Sequence, residues 1–178
     1  MTKIERRTSE TTVKVVLNVG TGIAKVSTGV PFLDHMMTAL ARYSGLDIDI
    51  TATGDLKHHT IEDVAIALGE AFARFLPAKC ARYGTSTVPM DEALVQVSID
   101  TGGRAYYEGP VPSSLYEHWM RSFADNSKIT LHIRILRGRD RHHIVEAAFK
   151  ALGFAIRQAL VETDAIFSTK GSVTLDKS

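Results

Sequence analysis

Gly54-Asp55-Leu56-Lys57-His58-His59-Thr60-Ile61-Glu62-Asp63-Val64-Ala65-Ile66-Ala67-Leu68-Gly69 decides the fold, because it occurs twice. Its second copy runs Gly138-Arg139-Asp140-Arg141-His142-His143-Ile144-Val145-Glu146-Ala147-Ala148-Phe149-Lys150-Ala151-Leu152-Gly153. An offset of 84 residues places glycine on glycine, His-His-x-x-Glu on His-His-x-x-Glu, and Ala-Leu-Gly on Ala-Leu-Gly. Upstream, an offset of 83 matches His35 with His118, Met37 with Met120, Ala41 with Ala124, Ser44 with Ser127 and Ile50 with Ile133. The chain is therefore two copies of one unit, and 178 residues are too few for a longer repeat array.

Periodicity gives the content of that unit. Ile4 to Ser9, Thr12 to Val19 and Ile23 to Ser27 read as strands, with Gly20-Thr21-Gly22 as a turn. Pro31 opens a helix whose Phe32, Met36, Leu40 and Tyr43 share one face, and Gly45 ends it. Leu46 to Thr51 alternates as a half-buried strand, and a second helix carries Ile61, Val64, Leu68 and Phe72. The second copy repeats the order, with strands over Arg82 to Val88, Ala93 to Ile99, Arg104 to Tyr107 and Ile129 to Ile135. Its helices are expected over Leu115 to Ala124 and His142 to Val161. The expected fold class is α+β: two tandem β3αβα repeats, each a sheet with helices on one face. Residues 1–80 and 81–163 form the repeats, and residues 164–178 form an exposed tail.

Composition narrows the function classes. Twenty-one Lys and Arg balance twenty Asp and Glu, and no basic run interleaved with aromatics suggests nucleic acid. The single Cys80 excludes an internal disulfide and suits a reducing compartment. Met1-Thr2-Lys3-Ile4-Glu5-Arg6-Arg7 lacks the apolar core of a secretion signal, and no run is apolar enough to span a bilayer. A cytoplasmic protein is expected.

Six of the seven histidines fall in the duplicated segments. Residues four apart on a helix face the same way, so His58 can share an ion with Glu62, and His142 with Glu146. His59 and His143 point about 100° away and are free to serve a second ion. With His35 and His118 the residues yield a symmetric scheme of two ions. One takes His58, Glu62, His118 and His143; the other takes His142, Glu146, His35 and His59. Three imidazoles and one carboxylate leave open positions on an octahedral ion, which favours Mn, Fe, Co or Ni over a closed structural zinc. Asp34, Asp63 and Glu117 are candidate acceptors that hold the imidazoles in one tautomer. His132, on the polar side of a strand, reads as structural, and Ser168-Thr169-Lys170-Gly171 as a loop able to hold a phosphate.

These residues together resemble the imidazoleglycerol-phosphate dehydratase family. The resemblance runs from about Arg6 to the C-terminus. It rests on Arg6-x-Thr8-x-Glu10-Thr11, Gly29-Val30-Pro31-Phe32-Leu33-Asp34-His35-Met36 and Ala52-Thr53-Gly54-Asp55. It continues through the two histidine motifs, Pro89-Met90-Asp91-Glu92, Gly103-Arg104, Thr130-Leu131-His132-Ile133 and Ser168-Thr169-Lys170-Gly171. It departs where only Leu56-Lys57 separate Asp55 from His58, and where Phe167 precedes the Ser-Thr-Lys-Gly turn.

The resemblance implies halves like the second domain of ribosomal protein S5. It also implies a 24-subunit homo-oligomer with active sites between subunits, and two Mn2+ per site. The reaction implied is removal of water from imidazoleglycerol phosphate to give imidazoleacetol phosphate. In this chemistry a metal on the ring nitrogen stabilises an imidazolate, so hydroxide can leave toward a diazafulvene-like intermediate. By the same resemblance Glu10 transfers the proton, Glu62 and Glu146 belong to the catalytic set, and His35 also touches substrate. Arg82, Arg104, Ser168 and Lys170 clamp the phosphate. Two rival readings of the same ligands are a different dinuclear metalloenzyme, such as a hydrolase, and a scaffold whose metals only join subunits.

Overall fold

The computed structural model describes residues 1–164. The first half runs β1 (Thr2–Arg7), β2 (Thr11–Val19), β3 (Ala24–Ser27), α1 (Pro31–Ser44), β4 (Leu46–Gly54) and α2 (Lys57–Phe75). The second runs β5 (Tyr83–Met90), β6 (Ala93–Asp100), β7 (Tyr106–Glu108), α3 (Ser114–Ser127), β8 (Thr130–Arg137) and α4 (Arg141–Ala159). Both halves are β3αβα. Their sheets have equivalent orders, β1-β2-β4-β3 and β5-β6-β8-β7. In each, the last edge strand pairs parallel to its neighbour, and every other pairing is antiparallel. The parallel pairs β3–β4 and β7–β8 are joined through α1 and α3.

Local chemistry sets the element ends. Pro31 stands at the start of α1, where its missing N–H costs nothing, and Gly45 at φ 77° closes the helix in the left-handed region. α2 ends where Leu76 is forced extended, φ −54° and ψ 123°, by the following Pro77. β1 stops at Arg7 rather than Ser9, because the Thr8 hydroxyl accepts from the backbone N–H groups of Glu10 and Thr11 and turns the chain. β7 begins at Tyr106 rather than Arg104, since Gly103 at φ 83° is still turning.

The strands alternate as expected, with Val13, Val15 and Leu17 of β2 and Val95, Val97 and Ile99 of β6 buried on one face. One continuous core draws on both halves, and Trp119, Phe123 and Phe149 are fully enclosed within it. Burying aromatic side chains of this size contributes about 1.5–3 kcal/mol each. The helices of the two halves meet across this core, α2 against α3 and α1 against α4. The duplicated glycines explain the closeness. A Cβ on Gly69 would lie 2.9 Å from the Phe123 carbonyl oxygen on α3, and one on Gly153 would lie 2.8 Å from Tyr43 Cβ on α1. Glycine here lets the backbones touch, at a helix-propensity cost of about 1 kcal/mol each.

Candidate metal clusters and active site

Both His-His-x-x-Glu motifs occupy the first turns of α2 and α4. At α4 the Asp140 side chain accepts from the backbone N–H groups of His142 and His143 and caps the helix. At α2 the cap residue is Leu56, with no side-chain acceptor. Asp55 instead accepts from the Leu56 N–H and from His59 Nδ1, at 2.6 and 2.8 Å.

The packing of α1 on α4 carries His35 to the second motif. His35 Nε2 lies 3.3 Å and His142 Nε2 3.2 Å from the same oxygen, Glu146 Oε2. The packing of α3 on α2 does the same for the first motif. His118 Nε2 lies 3.0 Å from Glu62 Oε1, and His58 Nε2 lies 3.7 Å from Glu62 Oε2. Each trio offers two ring nitrogens and a carboxylate oxygen, all within 4.8 Å of one another. Each joins a motif helix of one half to a helix of the other.

These residues fit a divalent ion. Among the described residues His118 Nε2 is shielded from solvent and makes no hydrogen bond, and its 3.0 Å approach to Glu62 lacks hydrogen-bond geometry. A buried ring nitrogen without a partner is costly unless something else uses its lone pair. In the other trio, Phe32 packs 4.9 Å from the His142 ring and meets Tyr116 edge-on, giving that cluster an apolar wall. Burial alone would raise the Glu146 carboxyl, but Lys150 and His35 outweigh it and hold it below the ordinary carboxylate value.

His59 and His143 stand outside both trios, as their 100° rotation requires. His59 Nδ1 donates to Asp55 and lies 3.6 Å from Glu10 Oε2. Asp55, with a smaller effect from Glu10, raises the His59 pKa. His143 Nδ1 donates to Glu92 Oε2 at 2.7 Å, and Glu92 raises its pKa in the same way. Glu92 also accepts from the backbone N–H groups of Asp140 and Arg139, which with His143 hold its carboxyl down to about 2.

The expected tautomer-setting acids are thus corrected. Asp34 accepts from Thr28, and Asp63 from Arg6 and Thr11, so both tie chain segments together. Glu117 faces Tyr107, whose hydroxyl burial pushes up to about 12 with help from that carboxylate. The acids that do hold imidazoles, Asp55 and Glu92, sit in the loops that face the helix starts. The duplication carries the missed signal: the β1–β2 turn containing Glu10 corresponds to the β5–β6 turn containing Asp91-Glu92. His132 is exposed, beside the Tyr106 ring at 5.5 Å.

Arg82 and Arg104 cluster around Asp100 at the other end of the second half. Arg82 Nε and its terminal nitrogen donate to the two Asp100 oxygens at 2.6 and 2.9 Å. That pair holds the Asp100 carboxyl below its usual range, and Arg104 adds to the effect. The backbone N–H of Arg82 donates to the Ala159 carbonyl, at the C-terminal end of α4, whereas His142 sits at its N-terminal end. Ser168 and Lys170 lie outside the described residues.

The sequence pattern of the family described as imidazoleglycerol-phosphate dehydratase matches residues 28–156. The chain is 44% identical to the imidazoleglycerol-phosphate dehydratase of Clostridium botulinum, over 96% of this chain and 97% of that protein. It is 43% identical to the enzyme of Chlorobaculum tepidum, over 94% and 95%. The crystal structure of the Pyrococcus furiosus enzyme superposes with a TM-score of 0.88 at 41% identity, covering 96% of this chain and all of that one. The Staphylococcus aureus enzyme gives 0.80 at 31% identity, covering 92% of this chain and all of that one.

Proposed function

The chain belongs to the imidazoleglycerol-phosphate dehydratase family, the hydro-lyases of histidine biosynthesis, and on that premise we propose how its residues divide the work. Its reaction converts imidazoleglycerol phosphate into imidazoleacetol phosphate, in the cytoplasm and with two Mn2+ per active site. The observation that carries the metal reading is the pair of His-His-Glu trios, each with ligand atoms within 4.8 Å. Two nitrogens and one oxygen leave open positions on an octahedral ion, a donor set that accepts Mn2+ as well as Fe, Co or Ni, and the family resemblance selects Mn2+ among them. His35, His142 and Glu146 would hold one ion, and His58, Glu62 and His118 the other.

When bound, the ions supply Lewis acidity to the imidazole ring, which makes a proton beside it easier to remove and a hydroxyl easier to lose. The chain's own groups do the rest. Glu10 is half-exposed beside His59, a position suited to moving a proton on the substrate's carbon chain through Oε2. Arg82 and Arg104 hold the phosphate with Ser168 and Lys170, and Asp100 fixes the plane of the Arg82 guanidinium.

The site forms between subunits of a homo-oligomer, with 24 copies as the proposed assembly. Support comes from α4: its 19 residues separate the phosphate-binding end from the metal end by about 25 Å. That is several times the length of a three-carbon phosphate ester, which favours a site whose two ends come from different copies. His59 and His143, turned away from their own trios, are then the ligands a neighbouring copy would use.

Direct product analysis tests the reading. Chelated protein should release imidazoleacetol phosphate from imidazoleglycerol phosphate only after Mn2+ is restored, and no product under any divalent metal would sink it. Glu10→Gln should abolish turnover while metal content persists.

A further inference from the structure

The two trios contain the same ligand types, but only the Glu146 carboxylate is backed by an ammonium. Behind Glu146, Lys150 Nζ lies 2.8 Å from Oε1, the oxygen that faces away from His35 and His142. The ammonium is enclosed: its side chain is 16% exposed, 3.3 Å from Met90 Sδ and 5.7 Å from the centre of the Tyr43 ring. Glu146 itself is 7% exposed, so neither charge is well screened by water. Four residues after Glu62, at the position the 84-residue offset superposes on Lys150, the chain has Ile66. Glu62 is 34% exposed, and among the described residues it pairs with the His58 and His118 rings, with a smaller pull on His59, and makes no Lys or Arg ion pair. The other ion pairs nearby do not restore the balance. Arg6 pairs with Asp63, while Glu10 and Asp55 beside His59 and Asp91 and Glu92 beside His143 are counterparts that add two acids to each half.

We infer that Lys150 makes the two clusters unequal, so that a divalent ion loads first at His58, Glu62 and His118 and only later at His35, His142 and Glu146. This rests on the dinuclear reading above. An ion entering the first cluster meets a carboxylate with its full negative charge. An ion entering the second meets a carboxylate already paired, with a like charge on its far side. Lys150 also orients Glu146, and losing such support commonly weakens a metal site by 10–100-fold. Direct repulsion between an ammonium and a divalent ion one carboxylate apart, in a partly dry site, exceeds that gain. Lys150 is therefore a positioning residue whose net effect is to weaken the cluster it supports.

The test titrates MnCl2 into the full chain after chelation, following heat release and the free-ion Mn2+ EPR signal. The wild-type chain should show two classes of site separated by roughly tenfold or more. Lys150→Met should tighten the weaker class by a similar factor, and Lys150→Arg should leave it as in the wild type. Ile66→Lys, at a half-buried position, should weaken the tighter class toward the other, and it carries the test alone if Lys150→Met does not fold. Two equal classes in the wild type would overturn the inequality only, as would a weaker class that Lys150→Met leaves unchanged or loosens further. No Mn2+ uptake by the wild-type chain would overturn the dinuclear reading and this inference with it.

Discussion

If each active site takes its metal end from one copy and its phosphate end from another, two inactive variants should rescue each other. The variants are His142→Ala, which strips one trio, and Arg104→Ala, which removes an exposed guanidinium without touching the core. Their separation follows from two independent elements. Arg104 lies at the Thr130 end of β8, where Thr130 Oγ1 donates to its carbonyl, and the strand's eight residues span about 23 Å before the chain turns toward His142. α4 gives about 25 Å between the same two ends through Arg82 and Ala159. Alone, each variant should fall by on the order of 10²-fold or more, the usual loss when one charged contact to the reacting ligand is removed. In a randomly mixed oligomer, about one site in four joins an intact metal end to an intact phosphate end. Co-expressed variants carrying different tags, purified through both, should therefore recover roughly a quarter of wild-type turnover. Verified mixed oligomers no more active than their separate parts would refute the intersubunit site.

Three further outcomes follow from the same geometry. Removing metal with a chelator should break the oligomer into smaller species on size-exclusion chromatography, with Mn2+ restoring it; an unchanged elution volume would count against metals at interfaces. Gly153→Ala should lower stability by about 1–2 kcal/mol in urea unfolding, because overpacking against Tyr43 and Ser44 outweighs the helix propensity gained. A gain of about 1 kcal/mol would mean that α1 and α4 are not in close contact there. Asp100→Asn should cost about 2 kcal/mol near neutrality by breaking the Arg82 pair. Since the folded pKa of Asp100 is depressed, that stability is present above its unfolded value of 3.8 and is lost as pH falls through the folded one. The gap between wild type and variant should then be constant at higher pH and shrink in acid, and a gap that grows on acidification would contradict the assigned pair.

How much of this was legible in the sequence depended on the range of the interaction. The helix starts at Pro31, Lys57 and Arg141 and the strand alternation are local, and periodicity found them to within a few residues. The match of His58 with Glu62, and of His142 with Glu146, follows from helical phase alone. That His35 meets His142 depends on α1 crossing onto α4, which the duplicated glycines permit but no local pattern specifies. The acids expected to hold the imidazoles in one tautomer were misplaced for a related reason. Asp34 and Asp63 are near in sequence to histidines, yet strand register hands Asp63 to Arg6 and a loop turn hands Asp34 to Thr28. Glu92 reaches His143 from 51 residues away, through the pairing of β5 with β6 and β6 with β8.

Duplication by itself would give a symmetric molecule, and the substrate is not symmetric: it carries an imidazole at one end and a phosphate at the other. Direction must come from positions where the copies have diverged. The 83-residue offset superposes Arg104 on Thr21. Thr21 lies in a turn whose N–H groups, from Thr21 to Ile23, all donate to Asp47, so that turn is closed on itself. At the corresponding place in the second half, Thr130 stands where Asp47 does, and among the described residues its hydroxyl donates to the Arg104 carbonyl, with the Arg104 side chain at the surface. The same asymmetry recurs beside the trios, with Lys150 behind Glu146 and Ile66 after Glu62. Replacing Thr21 by arginine should therefore not create a second phosphate site. A turn already saturated by Asp47 has no backbone N–H groups to share with an anion, so phosphate protection and turnover should match the wild type. A measurable gain in phosphate affinity would show that charge alone, rather than the geometry of the turn, sets the direction of the site.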